Sequence, residues 1–317
     1  MKTYTKITDI TKEYPRAVVA LGMFDGMHIG HQSIVERARE LARNQEGTCV
    51  VFTFNNHPMS VLSRERIPLQ IGSPELRASI LEKMGVNVLF NISFTKEFSR
   101  LSPERFLEIL RDSIAPCYVV TGANFTFGRQ GKGNQRMLQR VGEDYGFRAE
   151  ICPTVLAEGR PVSSTRIREL LKEGDLDTVN EFLGRPFAFA ARVIHGERRG
   201  RTLGFPTANL QIRGDRAMLP NGAYAVRVMY KGACYNGLAN IGDNPTFQGC
   251  DRRIEVNIQE FQEDIYDQLI QVDFLKKLRE ERKFPSVDHL IRQLHRDREA
   301  AKAVWEKCVE NVYDFPH

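Results

Sequence analysis

The sequence predicts an α/β protein in two parts: a parallel sheet covered by helices, then an antiparallel β-barrel finished by a single helix. Three observations carry that expectation. Up to about residue 185, short β-branched apolar runs alternate with helical stretches, which is how a sheet buried on both faces is written. Beyond that point, extended runs follow one another with turns but no helices between them. A length of 317 residues suffices for two ordinary cores, so domains at 1–185 and 186–317 are expected, divided at "GRPF" (184–187).

The strands of the first part are "AVVALGMF" (17–24), "CVVFTF" (49–54), "VNVLFNISF" (86–94) and "CYVVTG" (117–122), each short, apolar and β-branched. Between them, "HQSIVERARELARN" (31–44) places Ile34, Val35, Ala38, Leu41 and Ala42 at helical spacing. "GSPELRASILEKMG" and "LSPERFLEILRDS" each open on Ser-Pro, a cap followed by a residue already set for the first turn. "TRIRELLKEG" and "LDTVNEFLG" read as two short helices, each ended by a glycine, Gly174 and Gly184. In the second part, "AFAARVIHG", "AYAVRVMY", "CYNGLANIG", "RRIEVNIQEF" and "LIQVDFLKKL" supply the barrel strands. "SVDHLIRQLHRDREAAKAVWEKCVE" is the closing amphipathic helix.

Composition narrows the function. Hydrophobic residues make up 42% and charged residues 27%, as in a globular protein, and no apolar run approaches the roughly 20 residues that span a bilayer. Six scattered cysteines without a C-x-x-C pair argue against a disulfide framework or a zinc site, and are expected to be buried small hydrophobes. The net charge of +5 suits anionic small molecules, but no basic block interleaved with aromatics points to nucleic acid. The opening "MKTYTKITDITKEYPRA" has no apolar signal core, so a cytoplasmic protein with no membrane partner is expected. Oligomeric state is left open.

The first chemical signal is "LGMFDGMHIGH" (21–31). After the strand, Asp25-Gly26-Met27-His28-Ile29-Gly30-His31 makes a glycine-containing turn into a helix, whose free N–H groups and partial positive charge suit a triphosphate. Gly30 removes a side chain that would block its approach, and His28 and His31 are placed to donate hydrogen bonds as charge builds at the α-phosphorus. The same H-I-G-H string occurs in class I aminoacyl-tRNA synthetases. That reading lacks both a K-M-S-K-S-like segment and room for a tRNA-binding apparatus. A second signal, "GRPVSSTRIRELL", sets Ser163, Ser164, Thr165 and Arg168 about a helix start, where hydroxyls, N–H groups and a guanidinium can converge on phosphate.

In the second part, "GERRGRTLGFPTANL" runs from a glycine- and arginine-rich loop, with Gly200, Arg201 and Gly204, into an extended Pro206-Thr207-Ala208-Asn209. On a strand Thr207 and Asn209 face the same way, so both can approach one magnesium ion and its phosphates. In "RRIEVNIQEF", Ile254, Val256 and Ile258 alternate with Glu255, Asn257 and Gln259, which puts the glutamate on the polar face. Leu278, Arg279 and Phe284 are candidates for a flat apolar slot with polar anchors at its edge, with core and cap roles as the alternative.

With its motifs in order ("GMFDGMHIGH", "FTFNNHP", "TGANFTFGRQGKGN", "SSTRIR", "GRPF", "GRTLGFPTANL", "NGAYAV", "ANIGDNPTF", "IEVN", "LREERKF"), the chain resembles the prokaryotic bifunctional riboflavin kinase/FMN adenylyltransferase family, or FAD synthetase. The resemblance implies a Rossmann-like nucleotidyltransferase domain followed by a riboflavin kinase-like barrel. It implies ATP-dependent phosphorylation of riboflavin to FMN, then adenylyl transfer from ATP to FMN, with magnesium as cofactor and flavins as substrate and product. It also implies that Gly22, Phe24, Asp25, Gly30, His28 and His31 belong to the ATP site, together with Ser163, Ser164, Thr165 and Arg168. His57, Pro58, Asn124, Phe125 and Phe127 would border flavin and nucleotide, with core packing as the alternative for the two phenylalanines. In the kinase, Glu255 would accept the proton of the ribityl 5′-hydroxyl, and Leu278, Arg279 and Phe284 would border the flavin.

The chain departs from the family pattern at Ala123-Asn124, where Glu and Asp are usual, and at Asn55-Asn56, where Glu-Pro is usual. "IYD" (265–267) replaces a Tyr-Gly turn, and Asp243-Asn244 occupies a variable pair. Two other functions stand beside the bifunctional one: adenylylation alone with an inactive barrel, and a flavin-binding regulator without turnover. The phosphate-activating His28, His31, Thr207, Asn209 and Glu255 weigh against the last.

Overall fold

The computed structural model describes residues 1–9, 14–63, 67–195, 205–212, 214–246 and 249–309. By packing they form two compact units, one of Met1–Gln70 with Pro74–Ser164, the other of Ile71–Ser73 with the chain from Thr165 onward.

The first unit is built on a parallel sheet of β1 (Lys2–Tyr4), β2 (Val18–Leu21), β3 (Cys49–Phe54), β4 (Val88–Ile92), β5 (Tyr118–Gly122) and β8 (Arg148–Cys152), in the order β1-β4-β3-β2-β5-β8. All four residues of β2 are buried, as a strand covered on both faces requires. Helix α1 (Ile29–Asn44) buries Ile34, Val35, Ala38, Leu41 and Ala42, the face its spacing predicts. Short α2 (Met59–Leu62), α3 (Pro74–Lys83), α4 (Pro103–Ser113) and α5 (Gln135–Val141) complete the unit. Ser102 caps α4 as predicted, its side chain accepting from Arg105 N at 3.2 Å. A two-stranded ribbon, β6 (Thr126–Phe127) with β7 (Gly133–Asn134), follows β5, and β9 (Leu156–Ala157) pairs with β10 (Arg160–Pro161).

The strand order decides where a ligand sits. From β2 the sheet grows one way through β3 and β4 and the other way through β5 and β8. The loops leaving β2 and β5 therefore diverge and open a crevice beyond the carboxyl end of β2.

The second unit holds a closed six-stranded antiparallel barrel. Its strands are β11 (Phe187–Ile194), β12 (Ala208–Gln211), β13 (Gly222–Tyr230), β14 (Ala233–Thr246), β15 (Gly249–Ile258) and β16 (Leu269–Glu280), in the order β11-β12-β15-β14-β13-β16. Helices α6 (Ser164–Glu173) and α7 (Leu176–Leu183) precede it, and Gly174 and Gly184 beyond their ends have φ of 81° and 65°, the conformation glycine tolerates best. Packing places α7 with the barrel. Asn180 donates to Phe274 O at 3.0 Å and accepts from Phe187 N at 2.7 Å, standing in for a strand neighbour. The closing helix α8 (Val287–Val309) buries Ala301 and Trp305 against Ala225, Leu238 and Leu275. Trp305 also donates from Nε1 to Val226 O at 3.2 Å; truncating such a residue costs about 3–5 kcal/mol.

The cysteine expectation holds only in part. Cys49 and Cys152 are buried, with burial pushing the Cys49 thiol up to about 12, but Cys117 is half-buried and Cys234 is exposed on β14 beside a hairpin turn.

Candidate functional site

The crevice of the first unit is a cavity of about 760 Å³. It is lined from strand ends: Leu21 to Phe24 after β2, Phe52 and Phe54 from β3, Gly122 to Gly131 after β5, and Pro153 to Val155 after β8. Of the residues singled out by sequence, Gly22, Phe24, His28, Gly30, His31, Pro58, Asn124, Phe125, Phe127, Ser163 and Ser164 line it.

The turn after β2 is tightly wound. Phe24 and Met27 adopt left-handed φ of 51° and 44°, and Gly26 between them has φ 79°. His28 then caps α1: its Nδ1 accepts from His31 N at 3.2 Å, and the two imidazoles stack with centroids 3.6 Å apart. Because Nδ1 accepts, a neutral His28 ring carries its proton on Nε2, the other ring nitrogen, as a donor for a ligand. Phe24 packs edge-on against His31 at 5.4 Å. Gly30 has a reason the sequence did not disclose: a Cβ there would lie 3.2 Å from His28 Nδ1, so a side chain would press on the capping ring. Ser164 ties the "SST" segment to this turn, donating from Oγ to Asp25 O at 3.1 Å.

Several predicted residues stand elsewhere. Asp25 is buried behind the turn and does not line the cavity. His57 accepts from Met59 N at 3.1 Å at the start of α2 and is not among the residues that line the cavity. Thr165 and Arg168 stand on α6 in the second unit, outside this lining. Phe125 and Phe127 do both things foreseen for them, lining the cavity and packing on the core, with their rings stacked at 5.9 Å.

The Asn55-Asn56 departure has a structural account. Asn56 donates to Phe94 O at 3.0 Å and accepts from Phe94 N at 2.8 Å, while Asn55 donates to Ser93 Oγ at 3.0 Å. These bonds hold Phe94 edge-on against Phe54, at 5.0 Å, in an aromatic wall that includes Phe98 and Phe106. Sequence reasoning missed that wall because its members come from three separate segments.

It also missed Arg77. This side chain is buried and donates to Met23 O at 2.9 Å, Phe54 O at 2.7 Å and Asn91 Oδ1 at 3.0 Å, so one cation joins the turn after β2 to the ends of β3 and β4. Burial pushes its guanidinium down to about 10, against the pull of Asp25 and Glu75, and it stays charged at neutral pH. Among the described residues, no carboxylate lines the first cavity.

The second unit has its own cavity, of about 580 Å³, and its lining differs in kind. Asn209, Glu255 and Asn240 stand side by side on β12, β15 and β14 and all line it, with Thr207 and Asn257 one step along. Glu255 is exposed to solvent between buried Ile254 and Val256, as the alternation predicts. Pro206 does not line the cavity; its carbonyl accepts from Asn257 Nδ2 at 2.8 Å and so fixes the approach to Thr207. Gly200, Arg201 and Gly204 lie outside the described residues.

Of the flavin candidates, Arg279 and Phe284 line this cavity. The Arg279 guanidinium lies over the Phe284 ring at 5.6 Å and is held by buried Asp297 at 2.9 Å, an aspartate that also accepts from Gln293 at 2.6 Å. Leu278 packs instead in the cluster under Trp305. The other lining carboxylates, Asp243 and Glu281, both accept from Asn221 Nδ2, at 2.8 and 2.9 Å.

Residues 10–166 match the family model for FAD synthetase and residues 183–305 the one for riboflavin kinase. Relatives described as bifunctional riboflavin kinase/FMN adenylyltransferase include one from Bacillus subtilis, 35% identical over 300 residues that cover 92% of this chain and 93% of that one. Another, from Listeria monocytogenes, is 36% identical over 302 residues covering 95% and 94%. A crystal structure described as a macrolide-efflux protein from Streptococcus pneumoniae is 34% identical, covers 95% of this chain and 98% of that one, and superposes with a TM-score of 0.84.

Proposed function

This chain belongs to the family of bifunctional riboflavin kinase/FMN adenylyltransferases, and on that premise we propose that its two cavities divide its two reactions between them. It is an enzyme of flavin-cofactor biosynthesis, which phosphorylates riboflavin to FMN with ATP and transfers an adenylyl group from ATP to FMN, giving FAD and pyrophosphate. The functional boundary is proposed at 185/186, close to residue 183, where the riboflavin kinase match begins.

One observation carries the division: among the described residues, carboxylates line the second cavity and not the first. In adenylyl transfer the nucleophile is the FMN phosphate, already an anion at neutral pH, so no base is needed and a carboxylate would repel it. In the kinase step the nucleophile is an alcohol, which must lose a proton as it attacks. The kinase chemistry needs a proton acceptor in its site, and the adenylyl transfer needs none in its own.

In the first cavity, His28 Nε2 and the His31 ring donate to ATP phosphate oxygens as the FMN phosphate attacks the α-phosphorus and pyrophosphate leaves. Ser163, Ser164 and the N–H groups opening α1 hold the polyphosphate, and Phe125 with the aromatic wall holds the flavin. Its lining oxygens are amides, hydroxyls and carbonyls, which do not supply the carboxylate magnesium usually takes, so no step here is assigned to a protein-held metal.

In the second cavity the Thr207 hydroxyl and Asn209 carbonyl fit a magnesium ion shared with ATP phosphates. A magnesium ion held there would supply positive charge to offset that of the ATP phosphates. Glu255 accepts the 5′-hydroxyl proton, and Phe284 with Arg279 borders the flavin. The efflux named for the Streptococcus protein has no counterpart in the helices: among the described residues none is long and apolar enough to cross a membrane. A cytoplasmic location is proposed, in keeping with free thiols at Cys49, Cys117, Cys152 and Cys234.

The test is a paired product assay with ATP and magnesium, supplying riboflavin in one arm and FMN in the other. FMN and then FAD are expected from the first, FAD from the second. FAD from FMN without FMN from riboflavin would reduce the chain to an adenylyltransferase, and tight flavin binding without product would make it a binder.

A further inference from the structure

Three guanidinium groups line the second cavity, and two are engaged. Arg279 is paired with Asp297 at 2.9 Å, and exposed Arg282 lies over the Phe284 ring at 5.2 Å. The third, Arg253, is half-buried, its Nε is shielded from solvent, and its side chain makes no hydrogen bond or ion pair with any described residue. A shielded cation without a partner, facing a cavity, is costly unless an anion arrives to satisfy it.

Its place on the barrel says which anion. Arg253 is two residues before Glu255 on the same face of β15, about 7 Å away along the strand. That is a distance an extended arginine spans. Register puts Arg253 opposite Gln211 of β12 and Gly242 of β14, on the side of Glu255 away from Thr207. A group in transfer between the Thr207–Asn209 end and the Glu255 carboxylate thus has magnesium ligands on one flank and this guanidinium on the other.

Resting on the kinase reading of this cavity, we propose that Arg253 is a catalytic residue that binds the equatorial oxygens of the phosphoryl group in flight. The ribityl 5′-oxygen bonds to the γ-phosphorus of ATP as the bond from that phosphorus to the β,γ-bridging oxygen breaks. The hydroxyl proton passes to Glu255 and ADP leaves. Arg253 offers a forked pair of N–H donors to the oxygens that carry the charge, and that charge stays on the phosphate of the product FMN.

The experiment compares the full-length wild type with Arg253→Gln and Arg253→Lys. Arg253→Gln is expected to lower kcat for FMN formation about 100-fold, with the riboflavin KM changed by less than about threefold and FAD synthesis from supplied FMN intact. Arg253→Lys, keeping charge but losing the fork, is expected to recover about tenfold of that loss. An unchanged thermal unfolding midpoint shows that Arg253→Gln folds; if it does not fold, the Lys variant carries the test, with a kcat about tenfold below wild type expected. A wild-type kcat in the Gln variant (or in the Lys variant, where that one carries the test), equal rates in the Gln and Lys variants, or an effect confined to the riboflavin KM would each overturn the role. Retained kinase activity in Glu255→Gln would instead strike the reading of the cavity itself.

Discussion

The two cavities are of similar size, and in the proposed division both take ATP, yet they are built from different materials. The first is aromatic and free of carboxylates among its described lining, with two stacked imidazoles as its polar focus. The second has four lining carboxylates, and amides from two neighbouring strands flank one of them, Glu255. The difference matches the two nucleophiles of the proposed division: a phosphate already ionised needs no base, whereas an alcohol needs one.

That contrast can be broken at its strongest point first. Glu255→Gln keeps the shape of the second cavity and removes its proton acceptor, so FMN formation should fall about 1000-fold while FAD formation from supplied FMN continues. Normal FMN formation by that variant would erase the asymmetry. His28→Ala is the mirror test, expected to lower FAD formation about 100-fold and to leave the kinase rate alone. If both rates fall together, the sites are not separate.

The smallest effect sharpens the comparison. Asn124→Asp puts a carboxylate into the acid-free cavity, and the magnesium concentration for half-maximal adenylyl transfer should drop about threefold, with that of the kinase unmoved. A magnesium titration showing no drop would mean that position 124 does not face the metal-bearing phosphates.

What the sequence disclosed follows from periodicity. The buried face of α1 and the exposed position of Glu255 both come from repeats that side-chain geometry imposes, and both appear where spacing put them. Leu278 shows how periodicity fails. The pairing of β16 with β13 shifts register between Ala223 and Tyr224, so Leu278 is skipped in the ladder and turns under Trp305 instead of lining the cavity.

Arg77 was hidden for a different reason. A charged residue in a helix ordinarily reads as solvated, and only the meeting of three strand ends above it supplies the carbonyls that make its burial tolerable. Asn55 and Asn56 likewise gain meaning from Ser93 and Phe94, which lie 38 residues away along the chain.

Barrel closure has a consequence for misassembly. A sheet closed on itself exposes no row of unpaired backbone groups, whereas the parallel sheet ends in two edges, β1 and β8. The β8 edge bears Arg148 and Glu150, the latter gripped by Arg37 at 2.9 Å, and charge on an edge discourages a foreign strand from adding to it. Chains damaged by heat should therefore stick to one another through the nucleotidyl-transferring half, with the barrel carried along as a passenger.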